Sequence, residues 1–181
     1  MTIRFATTAD ASLLSLLSET TFRETYWGTD TDENILSHIA NSFNIPKIIE
    51  EIAAVNSNHY LIVENKLNQA IGYARIRYDQ SIKPNYLQSN KALEIARIYV
   101  LKEFQGQKIG QLLMEYIENF AKQEGFDTIW LCVWKENLDG IRFYQRHGLE
   151  IIGEYVFKLG NSTYVDWAMA KKNIIFTPHI F

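Results

Sequence analysis

The spacing of apolar residues near the N-terminus predicts a strand followed by a helix. Ile3-Arg4-Phe5 alternates apolar with polar residues, as a short strand does, and the alternation stops at Thr7. Thr8 or Asp10 is placed to cap the helix that follows, by accepting from a first-turn N–H group. The apolar stripe of that helix is formed by Leu13, Leu14, Leu17 and Phe22.

The next segments predict two more helices and an antiparallel hairpin. The helices are expected over 32–42 and from Pro46, a residue suited to a helix's first turn. Two apolar runs, 60–63 and 70–76, read as strands joined by a polar turn. The polar stretch 78–91 is expected to be a loop.

In the second half, the pattern predicts strands alternating with helices and then a final hairpin. A strand over 93–101 precedes the clearest amphipathic helix, from Ile109 to about Gly125. The apolar run 129–134 reads as a buried strand, which should lie parallel to its predecessor because a helix separates the two. A short helix over 138–146 and a hairpin of 151–157 with 164–169 follow.

Length and composition predict one soluble domain over 1–181, with 171–181 as a C-terminal tail. The chain has 181 residues, 47% of them hydrophobic, and a net charge of −3, which is atypical of a nucleic-acid binder. The single cysteine, Cys132, and the absence of a long apolar N-terminal segment favour the cytoplasm and no membrane partner. The tail is apolar enough to dock on the body or on a second subunit, so a homodimer is possible.

The segment 98–113 predicts an anion site, because it reads as a strand, a glycine-containing turn and a helix start. Glycine lets the backbone approach a ligand closely, and first-turn N–H groups with the helix dipole suit a diphosphate. Gly106 and Gly110 could instead serve only to turn the chain. The segment lacks the Lys-Ser/Thr ending of a P-loop, and its surroundings are not a repeated βαβ unit.

Two ordered motifs resemble those of the GNAT N-acetyltransferase superfamily. Gln105 to Gly110 resembles its Arg/Gln-x-x-Gly-x-Gly/Ala signature, and 134–149 resembles its Asn-x-x-Ala-x-x-Phe-Tyr-x-x-x-Gly-Phe motif. Lys108 stands where the first motif usually has its middle glycine, and Gly140 replaces the usual alanine of the second. Within the family, 21–26 and 93–95 resemble the PaiA-type spermidine/spermine acetyltransferases.

The resemblance implies an α/β (α+β) acyl-CoA N-acyltransferase fold, with a mixed, mostly antiparallel sheet of about seven strands flanked by helices. It also implies acetyl-CoA as co-substrate, with its pantetheine along the strand edge and its diphosphate on the turn. The residues expected to bind it are Ile98, Tyr99, Val100, Gln105, Gly106, Gln107, Lys108, Ile109, Gly110, Gln111, Asn137 and Tyr144.

Two catalytic residues follow from the resemblance, each with a structural alternative. Tyr144 matches the family tyrosine that protonates the departing thiolate, although it could simply pack its helix. Glu94 lies where some members keep a glutamate that takes a proton from the incoming amine, but it could equally pair with Arg75, Arg77 or Arg97. Asn137 is expected both to contact the cofactor and to cap the helix from 138.

The remaining candidates are weaker. Cys132 lies in an apolar run and is expected to be an inert thiol. His38, His59, His147 and His179 lack metal-ligand spacing, so no metal is predicted. Phe22, Tyr26 and Trp27, with Asp30, Asp32 and Glu33, are candidates to line a polyamine site, although an exposed acidic loop would explain these charges equally well.

The sequence thus predicts an enzyme that transfers acetyl from acetyl-CoA to a small-molecule primary amine by direct attack in a ternary complex, with a polyamine as the candidate acceptor. Two alternatives remain at this point. One is a non-catalytic acyl-CoA-binding regulator, and the other is an acetyltransferase that acts on protein lysines or N-terminal amines.

Overall fold

A computed structural model describes residues 1–160 and 162–172. Its strands are β1 (Thr2–Phe5), β2 (Asn58–Glu64), β3 (Ala70–Arg77), β4 (Ala92–Val100), β5 (Thr128–Trp134), β6 (Glu150–Leu159) and β7 (Ser162–Lys172). Its helices are α1 (Ala11–Tyr26), α2 (Asp32–Ser42), α3 (Ile45–Ala53), α4 (Ile109–Gln123) and α5 (Leu138–Arg146). The predicted strands and helices are therefore present in the predicted order, and the loop 78–91 contains a short 3-10 turn, Gln80–Ile82.

The seven strands form one sheet in the order β1-β2-β3-β4-β5-β7-β6. Every neighbouring pair is antiparallel except β4 and β5, which are parallel. The two predicted hairpins and the predicted parallel pair are confirmed. The sheet is mixed and mostly antiparallel, as the fold prediction requires.

Alternate side chains of the strands pack on helices on opposite faces of the sheet. On β2, Leu61 and Val63 join a cluster with Leu113 and Ile117 of α4. Tyr60 and Ile62 point the other way, into a cluster with residues of α1 and α3 such as Leu14 and Ile48. Burial of a large aliphatic side chain is worth about 1.5–3 kcal/mol, so these two layers account for much of the stability of the sheet.

The start of α1 differs from the prediction. Asp10 occupies the N-cap position, but its side chain does not cap α1. Its carboxylate instead accepts from the backbone N–H of Thr7 at 2.8 Å and pairs with Arg4 at 2.8 Å. Thr8 lies inside the 3-10 turn that precedes the helix. The carboxylate of Asp10 therefore binds the start of the 3-10 turn, at Thr7, and not the first turn of α1. The spacing of apolar residues does not reveal this difference.

Candidate active site

The parallel strands β4 and β5 separate after a short paired stretch. Their register covers only Ala92 to Glu94 on β4, and beyond it no strand of the described chain pairs with that side of β4. The N–H of Leu101 donates to Ile71 on the β3 side at 3.0 Å. Because successive residues of a strand face opposite sides, the peptide groups of Ile98 and Val100 face the gap.

The turn after β4 ends in an anion-receptive helix start. Gly106 and Lys108 both have positive φ, +78° and 62°, and Lys108 is the N-cap of α4. The first intrahelical bond of α4 runs from the N–H of Leu112 to the carbonyl of Lys108 at 3.0 Å. The N–H groups of the residues between them therefore have no intrahelical acceptor and are free for a ligand.

These features open into one cleft of about 890 Å³, called here the edge cleft. It is lined by the end of β4, the turn, the start of α4, and α5. Three side chains that the sequence analysis did not select for the cofactor, Lys102, Arg146 and His147, also line it. Of the residues expected to bind acetyl-CoA, all but Gln107 line the cleft: Ile98, Tyr99, Val100, Gln105, Gly106, Lys108, Ile109, Gly110, Gln111, Asn137 and Tyr144.

Helix α5 closes the edge cleft with two of the predicted residues. The side-chain oxygen of Asn137 accepts from the N–H of Gly140 at 2.9 Å, so the predicted cap is confirmed. A Cβ added at Gly140 would lie 2.7 Å from Asn137 Nδ2, which explains why glycine suits this position. Tyr144 is half-buried, and burial, with a smaller effect of Tyr26, raises its pKa well above the usual 10. Its hydroxyl is therefore protonated at neutral pH.

A second cavity of about 380 Å³, the inner cavity, lies on the other side of Tyr99. Helices α1 and α2 and strands from β3 to β7 contribute to it. Tyr99 lines both spaces, whereas Tyr26 lines only the inner cavity and Tyr144 only the edge cleft. The two spaces therefore meet at a cluster of three tyrosines.

The basic side chains of the inner cavity are paired with acids. Arg77 holds Glu94 with two hydrogen bonds, of 2.7 and 2.8 Å. Arg75 and Arg97 both contact Glu51, at 2.8 and 3.4 Å. Of the three arginines considered for Glu94, it is therefore Arg77 that pairs with it.

The comparisons with known proteins identify the family. Residues 18–149 match the model of the acetyltransferase (GNAT) family. An uncharacterised N-acetyltransferase of Lactobacillus delbrueckii subsp. lactis is 29% identical over 159 residues, which cover 86% of this chain and 87% of that protein. The spermidine N(1)-acetyltransferase of Thermoplasma acidophilum is 26% identical over 172 residues, covering 94% and 96% of the two chains.

The chain belongs to the GNAT acetyltransferase family. It is an acetyl-CoA-dependent N-acetyltransferase, as predicted. The PaiA N-acetyltransferase from T. acidophilum, solved in complex with coenzyme A, has the same fold, with a TM-score of 0.71 and 24% identity over 95% of this chain and 99% of that one. The edge cleft of the acetyltransferase suits acetyl-CoA, because it combines an unpaired strand edge with free helix N–H groups and basic side chains.

The structure separates the residues considered for the acceptor site. Phe22 and Tyr26 line the inner cavity, whereas Trp27 is 49% exposed and packs against Arg23. Asp30 lies at its rim, where it accepts from the hydroxyl of Tyr164, a lining residue, at 2.8 Å. Asp32 and Glu33 are exposed in the first turn of α2.

Two lining residues of the inner cavity had been set aside or missed. Cys132 lines it, and burial raises the pKa of its thiol well above the usual value, which keeps it protonated. Asp166 of β7 was not selected at all, although it is buried in the cavity wall. The only signal for it was a lone carboxylate in an otherwise apolar strand, flanked by Val165 and Trp167.

The described residues provide neither a membrane-spanning helix nor a cluster of metal ligands. No helix among them is long and apolar enough to cross a membrane. No cluster of His, Cys, Asp and Glu within residues 1–160 and 162–172 could hold a metal ion.

His38 lines the inner cavity, and burial lowers its pKa to about 4, so its ring is neutral there. His179 lies outside the described residues.

Proposed function

We propose that the acetyltransferase acetylates a primary amine held in the inner cavity, by direct attack on acetyl-CoA held in the edge cleft. The meeting of the two spaces at Tyr99 carries this proposal. A thioester at the opening between β4 and β5 would face both. Two reactants held in contact need no covalent acyl-enzyme, and their alignment can supply about 7–11 kcal/mol.

The predicted binding residues that line the edge cleft would contact different parts of acetyl-CoA. The pantetheine arm would pair with the peptide groups of Ile98 and Val100, as a peptide adds to a sheet edge. The diphosphate would lie on the N–H groups that follow Lys108, near its ammonium. The side-chain amide of Gln105 donates to the carbonyl of Val100 at 3.1 Å, so Gln105 would shape this edge as well as line the cleft.

The chemistry would then need one oxyanion donor and one acid. The N–H of Val100 faces the cleft and would stabilise the oxygen of the tetrahedral intermediate. Tyr144 would give its proton to the departing sulfur. Its high pKa keeps that proton available, and the phenolate would regain a proton from the newly acylated nitrogen.

The proposed acceptor is a polyamine. The relative from T. acidophilum is named for spermidine, and the chain resembles it over almost its whole length. In the inner cavity, the arginines are paired with Glu51 and Glu94, which leaves Asp166 and the rim carboxylate of Asp30 to attract cations. Aromatic walls, including Tyr26 and Trp134, favour cations too.

Three further predictions stand beside this proposal. We propose that residues 1–181 form one domain, that the protein works in the cytoplasm, and that it forms a homodimer. The apolar tail considered for the dimer, 171–181, lies outside the described residues from 173 onward, so its docking stays a prediction.

Thiol release from acetyl-CoA, measured against polyamines, amino acids, aminoglycosides and lysine peptides, tests the function. We expect spermidine or spermine to give a kcat/KM at least about tenfold above the other classes, because two or more spaced ammonium groups can use both Asp166 and Asp30. A preference for lysine peptides would favour protein acetylation. Coenzyme A binding without release from any amine would favour a regulator.

A further inference from the structure

The carboxylate of Asp166 lies in the wall of the inner cavity, and no described cation forms an ion pair with it. Only 9% of its surface is exposed. Within residues 1–160 and 162–172, no side chain forms a hydrogen bond or an ion pair with it. A buried charge is normally paired, because desolvation penalises it. A carboxylate kept in a substrate cavity without a partner is suited to a cationic ligand.

The strand register surrounds Asp166 with aromatic rings. It pairs across the sheet with Trp134 of β5 and with Tyr155 of β6, and both line the same cavity. The ring of Tyr26 lies 6.2 Å from that of Trp134. An ammonium held by a carboxylate between aromatic faces is stabilised by both. This arrangement suits an ammonium group on the wall of the cavity.

The same contacts place the site next to the acetyl donor. Asp166, Tyr26 and Tyr99 line the same inner cavity, and Tyr99 lines the edge cleft as well. An amine bound between Asp166 and Tyr26 is therefore adjacent to the tyrosine cluster where the thioester is expected.

Glu94, the other carboxylate of the cavity, is differently placed. Both of its oxygens already accept hydrogen bonds from Arg77, at 2.7 and 2.8 Å. An incoming ammonium would have to compete with the partly exposed guanidinium of Arg77 for these oxygens. Glu94 is therefore suited to hold Arg77 in place.

We propose, on the basis of the function proposed above, that Asp166 binds the ammonium of the acceptor and removes its proton. The ammonium gives one proton to the carboxylate, and the free amine attacks the thioester carbonyl carbon. The carbon–sulfur bond breaks with its electron pair on sulfur, and Tyr144 protonates that sulfur. The nitrogen then returns a proton to Tyr144, and Asp166 releases its proton to solvent.

The surroundings of Asp166 are consistent with a base at neutral pH. Burial raises its pKa to about 6, and the charge of Lys135 partly opposes this rise. Lys135 itself is paired with Glu154 at 2.5 Å. The other charged or titratable groups that line the cavity are Arg75, Arg77, Arg97, Glu94, Tyr26, His38, Cys132, Tyr155, Tyr164 and Tyr99.

The pH dependence of kcat/KM for the best amine separates the two carboxylates. We expect the wild-type value to rise with pH through about 6, where Asp166 loses its proton. Asp166→Asn should lose this rise and lower kcat/KM at least about 100-fold, because a single base typically contributes 10²–10⁴ in rate. Glu94→Gln, the matched control, should keep the rise even where its kcat/KM falls.

Two further measurements exclude a folding defect. Calorimetry should show unchanged coenzyme A affinity for Asp166→Asn. Its melting temperature at pH 8 should be no lower than that of the wild type, because a raised carboxyl pKa means that ionisation above about 6 destabilises the folded state.

The possible failures are distinct. If the wild type is active and Asp166→Asn keeps both its kcat/KM and the rise of kcat/KM with pH, the role proposed for Asp166 is wrong. The role is also wrong if Glu94→Gln is the variant that loses this rise. If the wild type acetylates no amine, the proposed function fails and this assignment fails with it.

Discussion

The edge cleft and the inner cavity meet at Tyr99 but are built in different ways. The edge cleft comes mostly from two continuous segments, 98–111 and 137–147, and offers main-chain groups to its ligand. The inner cavity draws single side chains from two helices and five strands. A main-chain site suits a ligand common to a whole family, whereas a side-chain site can change with few substitutions.

This difference predicts where substitutions act. Changes in the edge cleft should alter coenzyme A affinity and leave the KM for the amine almost unchanged. Changes in the inner cavity should alter the KM for the amine and leave coenzyme A affinity almost unchanged. A change at the junction should lower kcat with little effect on either affinity.

The largest effect is expected at the junction. Tyr144→Phe removes the proposed acid and keeps the ring, so kcat should fall by about 10²–10⁴ while the Kd of acetyl-CoA changes less than about threefold. Single-turnover rates and calorimetry measure the two quantities. Tyr116→Phe, on α4 and outside both spaces, is the matched control. An unchanged kcat in Tyr144→Phe would reject Tyr144 as the acid.

A smaller effect is expected at the start of α4. Gln111→Glu adds a carboxylate of nearly the same shape where the diphosphate is proposed to bind, so coenzyme A should bind about tenfold more weakly at low salt. The effect should shrink as added salt screens the charges.

Gln123→Glu makes the same change at the exposed other end of the same helix and should leave coenzyme A affinity unchanged. Equal affinities for the two variants would mean that the diphosphate does not lie on the start of α4. Urea denaturation should show that Gln111→Glu still folds, because an acidic residue suits a helix N-terminus. This gain is opposed by loss of the hydrogen bond from Gln111 to Glu115 and by repulsion between the two carboxylates.

The smallest effect is expected at Lys108, where the chain departs from the family glycine. Its φ of 62° is unfavourable for a residue with a Cβ by about 1–2 kcal/mol. Lys108→Gly should therefore raise the free energy of unfolding by up to ~1 kcal/mol, since glycine's greater freedom in the unfolded chain offsets part of the gain.

Lys108→Ala keeps the strain and removes the same ammonium, which makes it the control. Both variants should bind coenzyme A about threefold more weakly if the ammonium contacts a phosphate. Unchanged affinity in both would restrict Lys108 to shaping the turn. Lower stability of Lys108→Gly than of Lys108→Ala would mean that the positive φ carries no strain.

Much of the edge cleft could be predicted from the sequence because its parts are close together along the chain. The turn 105–110 follows a strand and begins a helix, so the free N–H groups follow from secondary structure alone. Asn137 precedes a short helix and caps it for the same local reason. The basic side chains Arg146 and His147 were missed because their direction depends on how α5 packs.

The sequence by itself determined the order of strands and helices, the parallel pair and the strand–turn–helix site, because each depends on periodicity and on neighbouring residues. Tertiary structure alone decided which charges meet. It pairs Arg77 with Glu94, and it places Asp166 between Trp134 and Tyr155 without an ion-pair partner among the described residues. These contacts join different strands, and their energies depend on distance and burial, which one-dimensional patterns do not contain.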